Sequence, residues 1–165
     1  MTLAEAAAQA DALAQAGDQR ALATLRSQWD DEIEAEARSP DYRIRAVAYR
    51  AIAQFRFRQK LELLRRGLED ESPAARGAAL IALEGLSRDH PGDVNAFRPL
   101  LHELAARDPN ATVRRLAVLC LRNGTAQPDT VRLLAGIADS DDADTELRRT
   151  ARSVSELLVK KSRAK

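Results

Sequence analysis

Several things that fix or equip a small protein are nearly missing from this chain of 165 residues. It has one cysteine, Cys120, so an internal disulfide is excluded. That residue falls on an expected core face, where it reads as a small buried hydrophobe. Aromatic residues make up 4% of the chain although 45% of it is apolar, so the core must be leucine, alanine, valine and isoleucine. Such a core suits close-packed helices better than a sheet. Basic and acidic residues cancel to a formal charge of +1, leaving no global field to draw in nucleic acid or anionic lipid. No run approaches 18 apolar residues, and no basic region followed by an apolar stretch opens the chain, so a soluble, cytoplasmic protein is expected.

Catalytic equipment is equally sparse. No nucleophile elbow, phosphate-cradling glycine loop or HExxH pattern occurs. The two histidines are His90, in a Pro-Gly loop, and His102, expected on an exposed helix position. Neither has a second ligand at i+3 or i+4, so no metal site is expected. The acidic run Asp139 to Glu146 lacks the sixth-position glycine and twelfth-position glutamate of a calcium loop, and reads as a solvated lead into a helix N-terminus. Neither a catalytic residue nor a cofactor is expected.

What is present is helical punctuation. Phe57, Leu61, Leu64 and Leu68 keep the spacing of one helical face, then Ser72-Pro73 restarts the backbone, serine as cap and proline in the first turn. Ala75, Ala78, Ala79, Ala82, Leu83 and Leu86 form the stripe of a second helix. The same two-helix unit recurs. Ser39-Pro40 is followed by Ile44, Val47, Ala48, Ala51, Ile52 and Phe55, with a turn expected near Arg56 to Arg58. Asp93 is the expected N-cap of a helix carrying Val94, Phe97, Leu100, Leu101 and Leu104; Asp108-Pro109 precedes Val113, Leu116, Ala117, Cys120 and Leu121, which Asn123-Gly124 closes with a left-handed cap. Val131, Leu134 and Ile137 precede Leu147, Ala151, Val154, Leu157 and Leu158. Before them all, Thr2 to Ala16 is an alanine-rich capping helix with a Thr2–Glu5 capping box. Trp29 sits in the apolar stripe of the helix that follows it.

Setting Arg45, Arg76, Arg114 and Arg148 in register places Ala48, Ala79, Ala117 and Ala151 three residues later, and Ser39, Asp70, Asp108 and Asp142 six residues earlier. The intervals are 31, 38 and 34 residues, the excess falling in the Ser87 to Asp93 loop. The stretches D-P-N-A-T-V-R-R-L-A at Asp108 to Ala117 and E-D-E-S-P-A-A-R-G-A-A at Glu69 to Ala79 resemble the HEAT and HEAT-like repeat family. The resemblance implies an all-α superhelix, a HEAT-like solenoid of about four helix pairs plus the capping helix. The whole chain, 1–165, is then one repeat domain: cap 1–17, pairs 19–56, 57–87, 93–123 and 128–159, and a basic tail 160–165 expected to fray. It also implies that the Asp and Arg columns form a polar ladder linking successive repeats.

The implied function is a non-enzymatic adaptor or scaffold that binds another protein, as a helix or extended segment, along its second helices. The register puts Tyr49, Leu80 and Val118 in one column and Arg50, Ile81 and Leu119 in the next, off the main stripe. With Arg115 these are the expected partner contacts. Charge is segregated along the chain: eight acidic and two basic residues through Glu36, then nine basic and two acidic from Arg38 to Arg66. Arg43, Arg56, Arg58, Lys60, Arg65 and Arg66 thus form a basic patch, read either as inter-helix ion pairing or as a dock for an acidic partner. Two alternatives are carried: nucleic-acid binding through this zone and the C-terminal tail, and a lyase or glycosylase of HEAT-like build. Trp29, as the only tryptophan, argues against the glycosylase.

Overall fold

The computed structural model describes residues 1–164, and among these there are helices and no strand. In order they are α1 (Leu3–Ala16), α2 (Gln19–Glu36), α3 (Tyr42–Gln54), a 3₁₀ turn (Arg58–Lys60), α4 (Leu61–Leu68), α5 (Pro73–Ser87), α6 (Gly92–Arg107), α7 (Ala111–Leu121), α8 (Pro128–Ala138) and α9 (Thr145–Arg163). The fold is all-α, with the helix-pair packing of an α-solenoid. The chain divides into two compact units, Met1–Leu86 and Ser87–Lys165.

In the first unit α1 packs on both α2 and α3, α2 packs on α3, and α3 on α4. Helix α1 starts where the sequence says: the Thr2 amide donates to Glu5 Oε2 at 2.8 Å, and the Glu5 amide to Thr2 Oγ1 at 3.2 Å. Gly17 ends it in the left-handed conformation, φ 75°. Helix α3 begins at Tyr42 behind Asp41, two residues beyond Ser39-Pro40, because the Asp41 carboxylate accepts from the Arg43 amide. It ends at the expected turn, where Arg56 takes the left-handed backbone, φ 54°. Arg26 from α2 holds that turn, donating from Nε to the Phe55 carbonyl at 2.8 Å and from Nη2 to that of Arg56 at 3.1 Å.

The buried face of α3 corrects the sequence reading. Ala48, Tyr49, Ala51 and Ile52 are inside, together with Phe55, whereas Ile44 and Val47 are exposed. The bulky Tyr49 ring turns the apolar stripe away from the first turn of the helix. Trp29 is only half-buried, and in α4 it is Leu63, Leu64 and Leu68 that are buried while Leu61 is partly exposed.

In the second unit α6 packs on α7 and α8 on α9, and the two hairpins stack with α7 beside α9 and α6 beside α8. Its core includes Val94, Leu101, Val113, Leu121, Leu134, Leu147 and Leu158, whereas Leu100, Leu116 and Val131, expected on the same stripes, are partly exposed at their edges. Three expectations fail locally. Helix α6 begins at Gly92, placing Asp93 in the first turn, buried, instead of capping it. Helix α7 is capped by Asn110, whose side chain accepts from the Val113 amide at 3.0 Å, while Asp108 accepts from the Asn110 amide. Gly124 is not left-handed. It is required for space: a Cβ there would lie 2.7 Å from Val94 Cγ1.

The expected fraying tail is also revised. Helix α9 runs through Arg163, and Lys161 Nζ donates to the carbonyls of Arg122 at 3.0 Å and Gly124 at 3.2 Å, closing the C-terminus of α7. The last residue of that tail, Lys165, lies outside the described residues.

Candidate partner-binding surface

The repeat register has a physical joint. Arg45, on α3, grips Asp70, in the loop before α5, with Nε and Nη2 on the two carboxylate oxygens, both at 2.8 Å. Its Nη1 reaches back to the carbonyls of Ser39 and Pro40. The pair is enclosed, with side-chain exposures of 12% and 6%. Burial alone would raise the Asp70 carboxyl, but Arg45 and the Ser72 amide outweigh it and hold it below the ordinary carboxylate range. This is one rung of the expected Arg–Asp ladder, and it removes Arg45 and Asp70 from any external role; Arg114, in the same column, donates instead to the Ala105 carbonyl.

The sequence-selected partner residues separate by column. Tyr49, Leu80 and Val118 are buried, Leu80 and Val118 at 0% exposure, so they offer no surface to a partner. Each is drawn inward: the Tyr49 hydroxyl, for example, lies 3.4 Å from both the Ala37 carbonyl and Asp70 Oδ2. The adjacent column faces out. Ile81 is 44% exposed, Arg50 is exposed, and Leu119 is partly so. Arg115 is partly exposed and faces Glu146 at 3.6 Å. Ile81 and Arg50 belong to the first unit, Arg115 and Leu119 to the second, and each pair is described within its own unit.

Within the second unit Leu119 opens onto a groove of about 340 Å³ between α7 and α9. Arg122 and Leu119 line it from the α7 side; Arg149, Thr150, Ser153, Val154 and Leu157 line it from α9. Leu157, expected in the core beside Leu158, is 43% exposed here, while Leu158 is buried. Ser153 occupies the register position of Ile81 and Leu119, five residues after the repeat arginine. One further helical turn, to Leu157, was the available signal. A second hollow, of about 460 Å³, lies between α1 and α2 and is lined chiefly by polar or small groups, including Gln9, Asp18, Arg20 and Gln28.

The basic patch is largely spent on the protein itself. Lys60 is buried, with Nζ on Asp30 Oδ1 and 2.8 Å from Glu34 Oε1, over the Phe57 ring at 4.7 Å. Burial would lower its pKa, but the two carboxylates together raise it. Arg56 pairs with Asp11 at 2.8 Å, Arg43 with Asp41 at 3.1 Å and Arg65 loosely with Glu62 at 3.8 Å. Arg66 is exposed; Arg58, also exposed, has its own interactions. The zone therefore works as inter-helix and local ion pairing at those four cations.

His102 corrects another expectation. It is partly buried, its Nε2 2.8 Å from Oγ1 of the fully buried Thr130. Burial, then the neighbouring Arg98 charge, pushes its pKa below the usual histidine range, against a weaker pull from Asp129. No group of three or more His, Cys, Asp or Glu that could hold a metal ion occurs among the described residues. No described helix is long and apolar enough to cross a membrane.

Stacked antiparallel helix pairs, second helix beside second helix, joined by a buried Arg–Asp rung, define a repeat protein of the α-solenoid class. Residues 31–103 match a family model of HEAT repeats, a span that includes α3, α4 and α5 whole. HEAT repeats commonly mediate protein–protein interaction, and the family is typically non-enzymatic. No curated protein matches the chain.

Proposed function

We propose that this protein is a cytoplasmic, non-enzymatic adaptor that binds another protein through the outward column of its second helices. The observation that carries the reading is the placement of Ile81 and Leu157, large apolar side chains each more than two-fifths exposed on a second helix. Covering the exposed two-fifths of such a side chain recovers about 1 kcal/mol, a gain that a partner seated on them would realise. Arg50 beside the column of Ile81, and Arg115 and Arg149 beside Leu119, supply orientation and favour an acidic partner.

A photo-crosslinking amino acid placed at Ile81 or Leu157 tests this, with Ala8 on the exposed side of α1 as the reference position. Irradiation in native lysate is expected to yield discrete protein adducts from the two second-helix positions and none from Ala8. Equal labelling from all three positions would remove the proposal.

A further inference from the structure

Resting on the protein-binding reading, we infer that the α7–α9 groove is a docking site for an acidic segment carrying an aliphatic anchor. Leu119, Val154 and Leu157 give the groove an apolar side; Arg149 and Ser153 give it a rim that can donate hydrogen bonds to carboxylates, the Thr150 hydroxyl being already donated to the Glu146 carbonyl. The charge environment selects the occupant. Helices α7 and α9 with Arg122 carry nine basic residues (Arg114, Arg115, Arg122, Arg148, Arg149, Arg152, Lys160, Lys161, Arg163) against Glu146 and Glu156. No carboxylate is among the residues that line the groove.

The cations divide by use. Arg114 donates to the Ala105 carbonyl, Arg152 to that of Ala138 and Lys161 to those of Arg122 and Gly124, while Arg115 faces Glu146. The Arg149 side chain, exposed on the groove wall, has no hydrogen bond or ion pair with any described residue. It is a charge carried on a helix and matched by no described residue. A peptide placing a leucine-sized side chain against Leu119 and Leu157 brings a neighbouring carboxylate within reach of Arg149 and Ser153. Nucleic acid fits less well: no aromatic ring lines the groove for a base to stack on.

The test is selection of a displayed library of random twelve-residue peptides against the full chain, with single-stranded dT20 as a parallel probe. Enriched peptides are expected to combine Asp or Glu with Leu, Ile or Met. Arg149→Glu and Leu157→Ser, both at exposed positions and checked for native circular dichroism, are each expected to weaken binding by roughly tenfold or more. Raising salt from about 50 to about 300 mM should weaken it further, through the exposed charges. Enrichment of peptides without carboxylates, or binding indifferent to both substitutions, overturns the groove assignment. Binding abolished by Ile81→Glu but not by the groove variants overturns it while leaving the adaptor reading intact. No enriched peptide at all overturns both, and dT20 binding that is lost in Arg149→Glu replaces the acidic peptide with nucleic acid.

Discussion

The two units solve the same stacking problem with different chemistry. In Met1–Leu86 charge is turned inward: Arg45 is locked on Asp70, Lys60 is buried against Asp30 and Glu34, and Arg56 reaches Asp11. In Ser87–Lys165 neutral side chains make the joints. Asn123 Nδ2 donates to Ser87 Oγ at 2.9 Å, Asn95 Nδ2 to Thr125 Oγ1 at 2.9 Å, and His102 meets Thr130. The second unit's cations go to helix-end carbonyls, to local pairs such as Arg115–Glu146 and Arg132–Asp129, or to solvent. Each unit leaves exposed arginines over, Arg50 in the first and Arg149 in the second, and in the second that arginine stands on the wall of the groove.

The largest expected effect tests whether the first unit depends on its buried charge. Asp70→Ala leaves Arg45 enclosed without its carboxylate, and breaking such a pair costs about 3–5 kcal/mol. Urea denaturation followed by Trp29 fluorescence, which reports on α2, reads this directly. Arg45→Met in the Asp70→Ala background should recover much of the loss, because the stranded charge is gone. A single-variant cost below about 1 kcal/mol would place the pair with ordinary surface ion pairs. The dependence on acid has a definite sign. Because the folded carboxyl lies below its ordinary value, its contribution is full above that value and is lost as pH falls through the folded one.

A smaller effect belongs to the second unit and to shape. At Gly124 a Cβ would approach Val94 Cγ1 to 2.7 Å, and Val94 is fully buried. Gly124→Ala should cost about 1–3 kcal/mol by overpacking. Adding Val94→Ala should return part of that, which a purely conformational cost would not. Gly17→Ala provides the contrast: nothing lies within 4 Å, but φ is 75°, so its cost of about 1–2 kcal/mol is backbone strain that no neighbouring truncation relieves. Chemical denaturation of the single and double variants separates the two causes.

These sites show what the sequence makes legible. The repeat was readable because apolar spacing and the Arg-x-x-Ala register are properties of one helix pair and need no knowledge of neighbours. The capping box and the turn at Arg56 followed from the same local rules. What depends on the adjacent pair did not. Leu80 and Ile81 are consecutive and equally apolar, yet only Leu80 is covered, since about 100° of helical rotation divides the buried flank from the open face. Ile44 and Val47 looked like core until the Tyr49 ring took the inner position. Lys60 and Arg149 are both cations that local sequence leaves to solvent; one is buried against two carboxylates and the other has no partner among the described residues, a difference made by distant residues. Gly124 reads as a left-handed cap because local sequence cannot reveal Val94 standing beside it.

The smallest effect separates the neutral joints of the second unit from the charged joints of the first by pH. His102 is held below its ordinary pKa of about 6.5 by burial and by Arg98, with Asp129 opposing. In the unfolded chain the ring takes a proton as pH falls through about 6.5, whereas in the folded protein it resists until a lower pH. Protonation therefore favours unfolding across that interval. Stability should decline between about pH 7 and the folded value, then stop declining from this cause. The first unit's Asp70 loses its contribution only in more acid solution, below the carboxylate range, so the two units weaken in sequence on acidification. His102→Gln, which keeps a polar group facing Thr130 but cannot titrate, should flatten the first step and leave the second in place. Far-UV circular dichroism of urea unfolding at pH 7.5 and 5.5 measures the first step, and Thr130→Val supplies its structural control. Removing that hydroxyl should cost about 0.5–1.5 kcal/mol at pH 7.5. An unchanged pH profile in His102→Gln would mean that the second unit, too, draws its acid sensitivity from carboxylates, and the contrast between the units would reduce to where their arginines point.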